Sequence, residues 1–330
     1  MSNLSYYSYS PEKETFGGHT RREPKRRYLI AILLLATAAL IGYGWHRVRT
    51  DNMPGQSKGT LVIAGFPFST KAAAAKPKLD ITSKMVTAWE AAIAGRSGLV
   101  DIAVYDHTTG ETAHYSNTGD TFNSASVEKL SILEGLLLNV QEKGRGLTSK
   151  EQSLATSMIE ESDNDAATAL WNEIGGPKAM TALLNRVGTT RTKVAPGGQW
   201  GLTQTTADDQ LKIINQVAYS SDFLNQSSRD TAFDLLNGVV ASQAWGVTAG
   251  LPADASIQLK NGWLPDHGTG NRFNDQNTWT VNSVGHVREG EHDYTIAVLT
   301  MGNPTEDYGI QTIEALSAVT WNTFTAMPKS

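Results

Sequence analysis

The sequence predicts an α/β domain of the α+β kind, a single antiparallel sheet built from both ends of the folded region, flanked by helices and interrupted by an all-helical block. Three observations predict it. Val100, Ile102 and Val104 alternate with Asp101, Ala103 and Tyr105, and strand-like patterns return only late, over 256–260, 278–287 and 294–301. Between these ends the apolar period is helical. The closing stretch, 305–324, then places Ile310, Ile313, Leu316 and Val319 on one helix face.

Each element has its own signal. Ile81, Met85, Trp89 and Ile93 are spaced as one face of a helix that stops at Gly95. The strand over 99–106 turns through Thr108-Thr109-Gly110 into a second over 111–116. Leu130, Leu133, Leu136, Leu137 and Val140 make a largely buried helix over about 126–141. Thr148-Ser149-Lys150-Glu151-Gln152 holds two overlapping capping boxes for a helix through Ile159. A helix over 165–174 is broken by Gly175-Gly176-Pro177 and resumes over 178–187 as far as Gly188. Residues 189–204 read as loop, and 206–219 and 228–240 as helices. The polar turn 288–292 joins the last two strands. No internal repeat is visible.

The chain has 330 residues, 40% of them hydrophobic, enough to bury a sizeable core. It has no cysteine, which excludes disulfides, thiolate metal sites, a cysteine nucleophile and a cysteine-linked lipid within it. Its net charge of −5 is a sum of opposites: residues 1–79 are basic and residues 80–330 acidic. The acidic part argues against nucleic acid as a partner.

The basic end has a different explanation. Residues 1–27 are polar, with Arg21, Arg22, Lys25, Arg26 and Arg27 clustered, and are expected to be a disordered cytoplasmic segment. Residues 28–45 carry no charge, and as a helix would be about 27 Å long, just enough for a bilayer core. The basic flank places the N-terminus inside, so this span is expected to be an uncleaved signal-anchor transmembrane helix. Residues 46–79 suit a linker, although Leu61-Val62-Ile63-Ala64 within 61–68 is too apolar for a plain tether. The expected organisation is thus a single-pass protein of a cytoplasmic membrane, with an extracytoplasmic domain over 80–330.

Chemistry is suggested by Ser126-Val127-Glu128-Lys129 at the head of the buried helix. Positions i and i+3 share a helix face, so Lys129 can reach Ser126. A serine hydroxyl becomes a useful nucleophile when a desolvated lysine takes its proton, and a helix N-terminus offers N–H groups to an oxyanion. Such strings are common: Ser10-Pro11-Glu12-Lys13 matches too and carries no chemistry. Two further strings follow, Ser162-Asp163-Asn164 between two helices and Lys260-Asn261-Gly262-Trp263 at the end of a strand. Taken singly, they read as a helix cap and an edge-strand lysine before a turn.

In this order, the three strings resemble the active-site set of class A β-lactamases and penicillin-binding proteins: S-x-x-K, S-D-N and K-T-G. The resemblance covers about 250 residues and implies the β-lactamase/transpeptidase-like fold. It implies Ser126 as the acylated nucleophile and Lys129 as its base, Ser162 as proton relay to the leaving nitrogen, and Lys260 as partner of Ser162 and of the substrate carboxylate. Asn164 would bind the substrate's side-chain amide, and Asn261, Gly262 and Trp263 would line the substrate cleft. The N–H groups of Ser126 and Trp263 would form the oxyanion hole. No cofactor is implied. The partner would be a small-molecule β-lactam or a cell-wall peptide of a bacterial envelope.

Three departures follow from the same comparison. No glutamate occurs between Glu173 and Glu289, so the loop carboxylate that activates the deacylating water is missing, and Gln199 and Trp200 occupy that loop. The interval from Ser126 to Ser162 is short, which removes one wall of the site. Asn261 replaces a hydroxyl. The expectation is a serine acyl hydrolase acylated at Ser126, with slow deacylation. A penicillin-binding peptidase acting on D-alanyl peptides and a non-catalytic binding module are the alternatives. His286, Glu289 and His292 straddle a hairpin turn and are not expected to bind a metal, and Arg272 reads as a solvated loop charge.

Overall fold

The computed structural model describes residues 81–326. The expected cytoplasmic segment, membrane helix and linker, with the apolar string 61–68, lie outside the described residues. Among the described residues, no helix is long and apolar enough to cross a membrane.

In chain order the elements are α1 (Ile81–Ile93), β1 (Leu99–Asp106), β2 (Glu111–Ser116), the two-residue β3 (Phe122–Asn123), α2 (Glu128–Glu142), α3 (Ser149–Glu160), α4 (Asn164–Ile174), α5 (Gly176–Val187), the two-residue β4 (Gln204–Thr205), α6 (Ala207–Ala218), α7 (Gln226–Asn237), β5 (Ser256–Pro265), β6 (Trp279–Glu289), β7 (His292–Asn303) and α8 (Glu306–Thr325). Five strands form one sheet in the order β2-β1-β7-β6-β5, antiparallel throughout. β7 is therefore the seam, pairing Ala103 with Ala297 on one side and Val284 with Ala297 on the other.

Alternation along β7 sorts the two cores. Ile296 and Val298 face α1 and α8 with Met85, Trp89, Ile313 and Leu316. Ala297 and Leu299 face the helical block with Leu133, Leu136, Met158, Leu170 and Trp171. These are the helix-sheet-helix layers expected of such a domain. Trp89 illustrates how tightly the first layer is fixed: it is 0% exposed, and its Nε1 donates to Thr320 Oγ1 at 2.8 Å.

Local chemistry sets the element ends. Thr148 and Glu151 close the expected capping box on α3, and Arg145 adds a two-pronged pair to Glu151 at 2.7 and 2.8 Å. Gly175 and Gly188 end α4 and α5 in the left-handed conformation, at φ 107° and 86°. The loop 189–204 is not featureless. It holds two short 3-10 turns and finishes in β4, which pairs with β3 just before Ser126.

One expected boundary moves. The strand containing Lys260 runs on to Pro265, because β6 pairs with it as far as Trp279. Lys260-Asn261-Gly262-Trp263 therefore lies inside an edge strand rather than at its end. Parity along that strand sends alternate side chains to opposite layers.

Candidate active site

The site forms where the head of α2 meets the free edge of β5. Ser126 sits in a 3-10 turn, Ala125–Val127, that leads straight into α2. Ala125 has φ 49°, an uncommon conformation for a residue with a Cβ, and it lifts the serine out of the buried turn. Ser126 is accordingly partly exposed between buried neighbours. From the sheet, Asn282 Nδ2 donates to the Asn123 and Ser124 carbonyls at 2.8 and 3.1 Å. The turn that carries Ser126 is thus anchored on a central strand.

Lys129 follows Ser126 by three residues and is 0% exposed. Its Nζ donates to the Ser162 carbonyl at 2.5 Å, to Ser162 Oγ at 3.0 Å and to Asn164 Oδ1 at 2.8 Å. Lys260, 1% exposed, donates to the same Ser162 Oγ at 3.0 Å and to the Asn261 carbonyl at 3.1 Å. Ser162 thus stands between two lysine side chains. It is held there at φ 59°, while Asp163 caps α4 through the Ala166 N–H at 2.6 Å.

Burial, and then the neighbouring Lys260, bring Lys129 down to about 6, with Asp163 opposing. Burial likewise brings Lys260 down to about 7. Ordinary lysine titrates near 10.5, so the bias against a charged Lys129 is about 6 kcal/mol. Burial thus favours the free amine of Lys129, the form that can accept a proton.

Gly262 shows how closely β5 approaches the nucleophile. A Cβ there would lie 2.5 Å from the Ser126 amide nitrogen and 2.7 Å from that of Val127. Only a glycine lets the strand edge and the head of the helix meet. Trp263, next along, is partly exposed and packs edge-on against Trp245, with ring centres 5.8 Å apart.

The remaining sequence candidates fall out as follows. Asn164 is in the cluster. The Asn261 side chain is not: parity turns it to the opposite layer, where it is 1% exposed and donates to the Gln243 and Trp245 carbonyls at 2.8 and 3.0 Å. Its expected place among the substrate contacts is corrected to a role in holding the 243–245 segment. Arg272 is exposed and pairs with Asp120 at 3.1 Å. His286 bonds Asp293 at 2.8 Å, whereas His292 packs on Trp321 and Phe324. Among the described residues no group of three or more His, Asp or Glu gathers for a metal.

Trp200 is the member that sequence reasoning underrated. Its indole lies over Lys129, 5.1 Å from Nζ to ring centre, and its Nε1 donates to Thr168 Oγ1 at 3.2 Å. A Cβ on the neighbouring Gly201 would lie 3.8 Å from the Ala125 backbone. Asn282 was missed as well. Its only trace in the sequence is a polar break in the apolar run of β6.

A partly exposed serine, two buried lysines and a bridging serine are set together on this fold. The β-lactamase enzyme family model matches residues 139–324, more than half of the chain, and the chain belongs to that family. The match begins after Ser126 and Lys129 and does not take them in. Solved class A β-lactamases share the fold. One from Bacteroides cellulosilyticus is 18% identical with a TM-score of 0.64, over 75% of this chain and 99% of that one. One from Mycobacterium abscessus is 18% identical with a TM-score of 0.60, over 73% and 100%. Among curated proteins, LppW of Mycobacterium tuberculosis, provisionally named a lipoprotein, is 29% identical over 181 residues. That alignment takes in 53% of this chain and 56% of LppW, so the chain spans about half the length of the curated relatives it matches.

Proposed function

We propose that this protein is an extracytoplasmic serine acyl hydrolase that β-lactams or related amides acylate at Ser126, and that it deacylates slowly. The observation that carries the reading is Ser162 Oγ held 3.0 Å from both Lys129 and Lys260, with Lys129 one helical turn after the partly exposed Ser126. In the reaction, neutral Lys129 takes the Ser126 hydroxyl proton as Oγ attacks the amide carbonyl. The N–H groups of Ser126 and Trp263 hold the oxyanion. When the C–N bond breaks, Ser162 delivers the proton to the leaving nitrogen and is resupplied from the lysines, leaving an ester on Ser126. Lys260 and Asn164 orient the substrate.

Slow deacylation is supported by what covers Lys129. No carboxylate occurs between Glu173 and Asp208, and the Trp200 ring lies over the amine where a water would have to be activated. This favours a penicillin-binding behaviour over rapid drug destruction. An envelope location, with residues 28–45 as anchor and 80–330 outside the cytoplasm, is supported by the basic flank before the apolar span and by the lipoprotein name of LppW.

The pH profile tests the base. Lys129 titrates near 6, so below that pH it is protonated and cannot accept the serine proton, and above it the free amine is available. Labelling of the protein by a fluorescent penicillin is expected to rise from pH 4.5 and reach half its maximum rate near pH 6. A rate that keeps climbing towards pH 10 would mean a lysine with an ordinary titration, and would sink this assignment.

A further inference from the structure

Helix α2 carries a second polar set that the acyl-transfer chemistry leaves unused. Glu128, Ser131 and Glu134 recur at every third residue and form one oblique row along the helix, with Ser124 four residues before Glu128. All four are 0% exposed. Apart from the Ser124 hydroxyl that faces Glu128, the carboxyls and hydroxyls of the row have no hydrogen-bond partner. Gln210, on α6, a helix that packs against α2, is also 0% exposed; its Nε2 donates to Thr205 while its Oε1 is unpartnered.

Nearly all buried polar groups in folded proteins are partnered, and an isolated buried carboxylate is among the costliest groups to leave bare. Burial pushes Glu128 up to about 8 with Ser124 opposing, and burial together with Glu128 pushes Glu134 up further. Apart from the Asn123 amide, the unpartnered groups along the row are carboxylate, hydroxyl and amide oxygens. An amide oxygen and an ionised carboxylate cannot satisfy one another, because neither donates.

Such an all-oxygen set is what a hard divalent cation takes. Ca²⁺ accepts roughly six to eight oxygens in flexible geometry, including two-pronged carboxylates, whereas Mg²⁺ holds on to its waters and suits a dry pocket poorly. Two carboxylates balance its charge. Ser131 lies midway between the two glutamates, and their rotatable side chains allow both to close over it. We propose that this buried row on α2 is a Ca²⁺ site, held by the Glu128 and Glu134 carboxylates with the Ser124 and Ser131 hydroxyls and the Gln210 carbonyl.

The test uses the full chain, purified with detergent, stripped with a chelator and titrated with CaCl₂, with MgCl₂ and NaCl as controls. One Ca²⁺ per chain is expected by elemental analysis after gel filtration. The Tm is expected to rise by roughly 5–10 °C at a hundredfold excess over the dissociation constant. Glu134→Gln, which keeps the shape, is expected to lose both effects. Should that variant not fold, Ser131→Ala is expected to weaken Ca²⁺ binding by roughly tenfold or more. No bound Ca²⁺ with an unmoved Tm, or a Tm gain that survives Glu134→Gln, would overturn the site.

Discussion

Lys129→Ala is expected to slow acylation of Ser126 by roughly 10²–10⁴-fold, the range over which a positioned base contributes. The size follows from the geometry: Lys129 sits one helical turn from the nucleophile, and its contacts are Ser162, Asn164 and the Trp200 ring, with no carboxylate among them. An amine so placed is held as a base rather than as half of an ion pair. Removing it also strands the Ser162 carbonyl and Asn164 Oδ1, at a cost of about 1–3 kcal/mol. Relief from burying an amine offsets part of that, so the domain is expected to stay folded. Rates of penicillin labelling, read beside a thermal melt, separate the two effects. A folded variant that acylates at the wild-type rate would remove Lys129 from the chemistry.

Gly262→Ala is expected to be as damaging for a purely steric reason. Gly262 has no positive φ to defend, so the backbone itself tolerates alanine. The added methyl would instead meet the Ser126 and Val127 amides, with Ser126 Cα a further 3.1 Å contact, directly after the Asn123 and Ser124 carbonyls that Asn282 pins to the sheet. Either β5 or the nucleophile turn must shift, and a displacement of about 1 Å at a reacting centre can cost roughly 100-fold. Acylation is expected to fall by at least that much, with a stability loss of about 1–3 kcal/mol from overpacking. Alanine tolerated on both counts would mean that the strand edge does not press on the nucleophile.

Much of this was legible in the sequence because strong periodicity and strong punctuation coincide. The two strand clusters and the helical block read directly from residue spacing, and Gly175, Gly188 and Thr148 mark real ends. The gathering of Lys129, Ser162 and Lys260 was readable from strings in order, since no single string carries conviction. Asn261 was misplaced for a physical reason. With the strand stopped at Lys260, Asn261 reads as a turn residue near the substrate; drawn through to Pro265, strand parity sends it to the other layer. Trp200 and Asn282 were hidden because their roles depend on contacts with Lys129 and with the Asn123–Ser124 carbonyls, far away in sequence. Nothing local in a loop or a strand announces such a contact.

The most direct measurement is the intact mass of the full chain mixed with a penicillin and followed over hours, with Ser126→Ala alongside. The expected result is a gain of one penicilloyl mass per chain that persists for hours and is absent from Ser126→Ala. An adduct on Ser126→Ala, or none on the wild type across several β-lactam classes, would contradict acylation at Ser126.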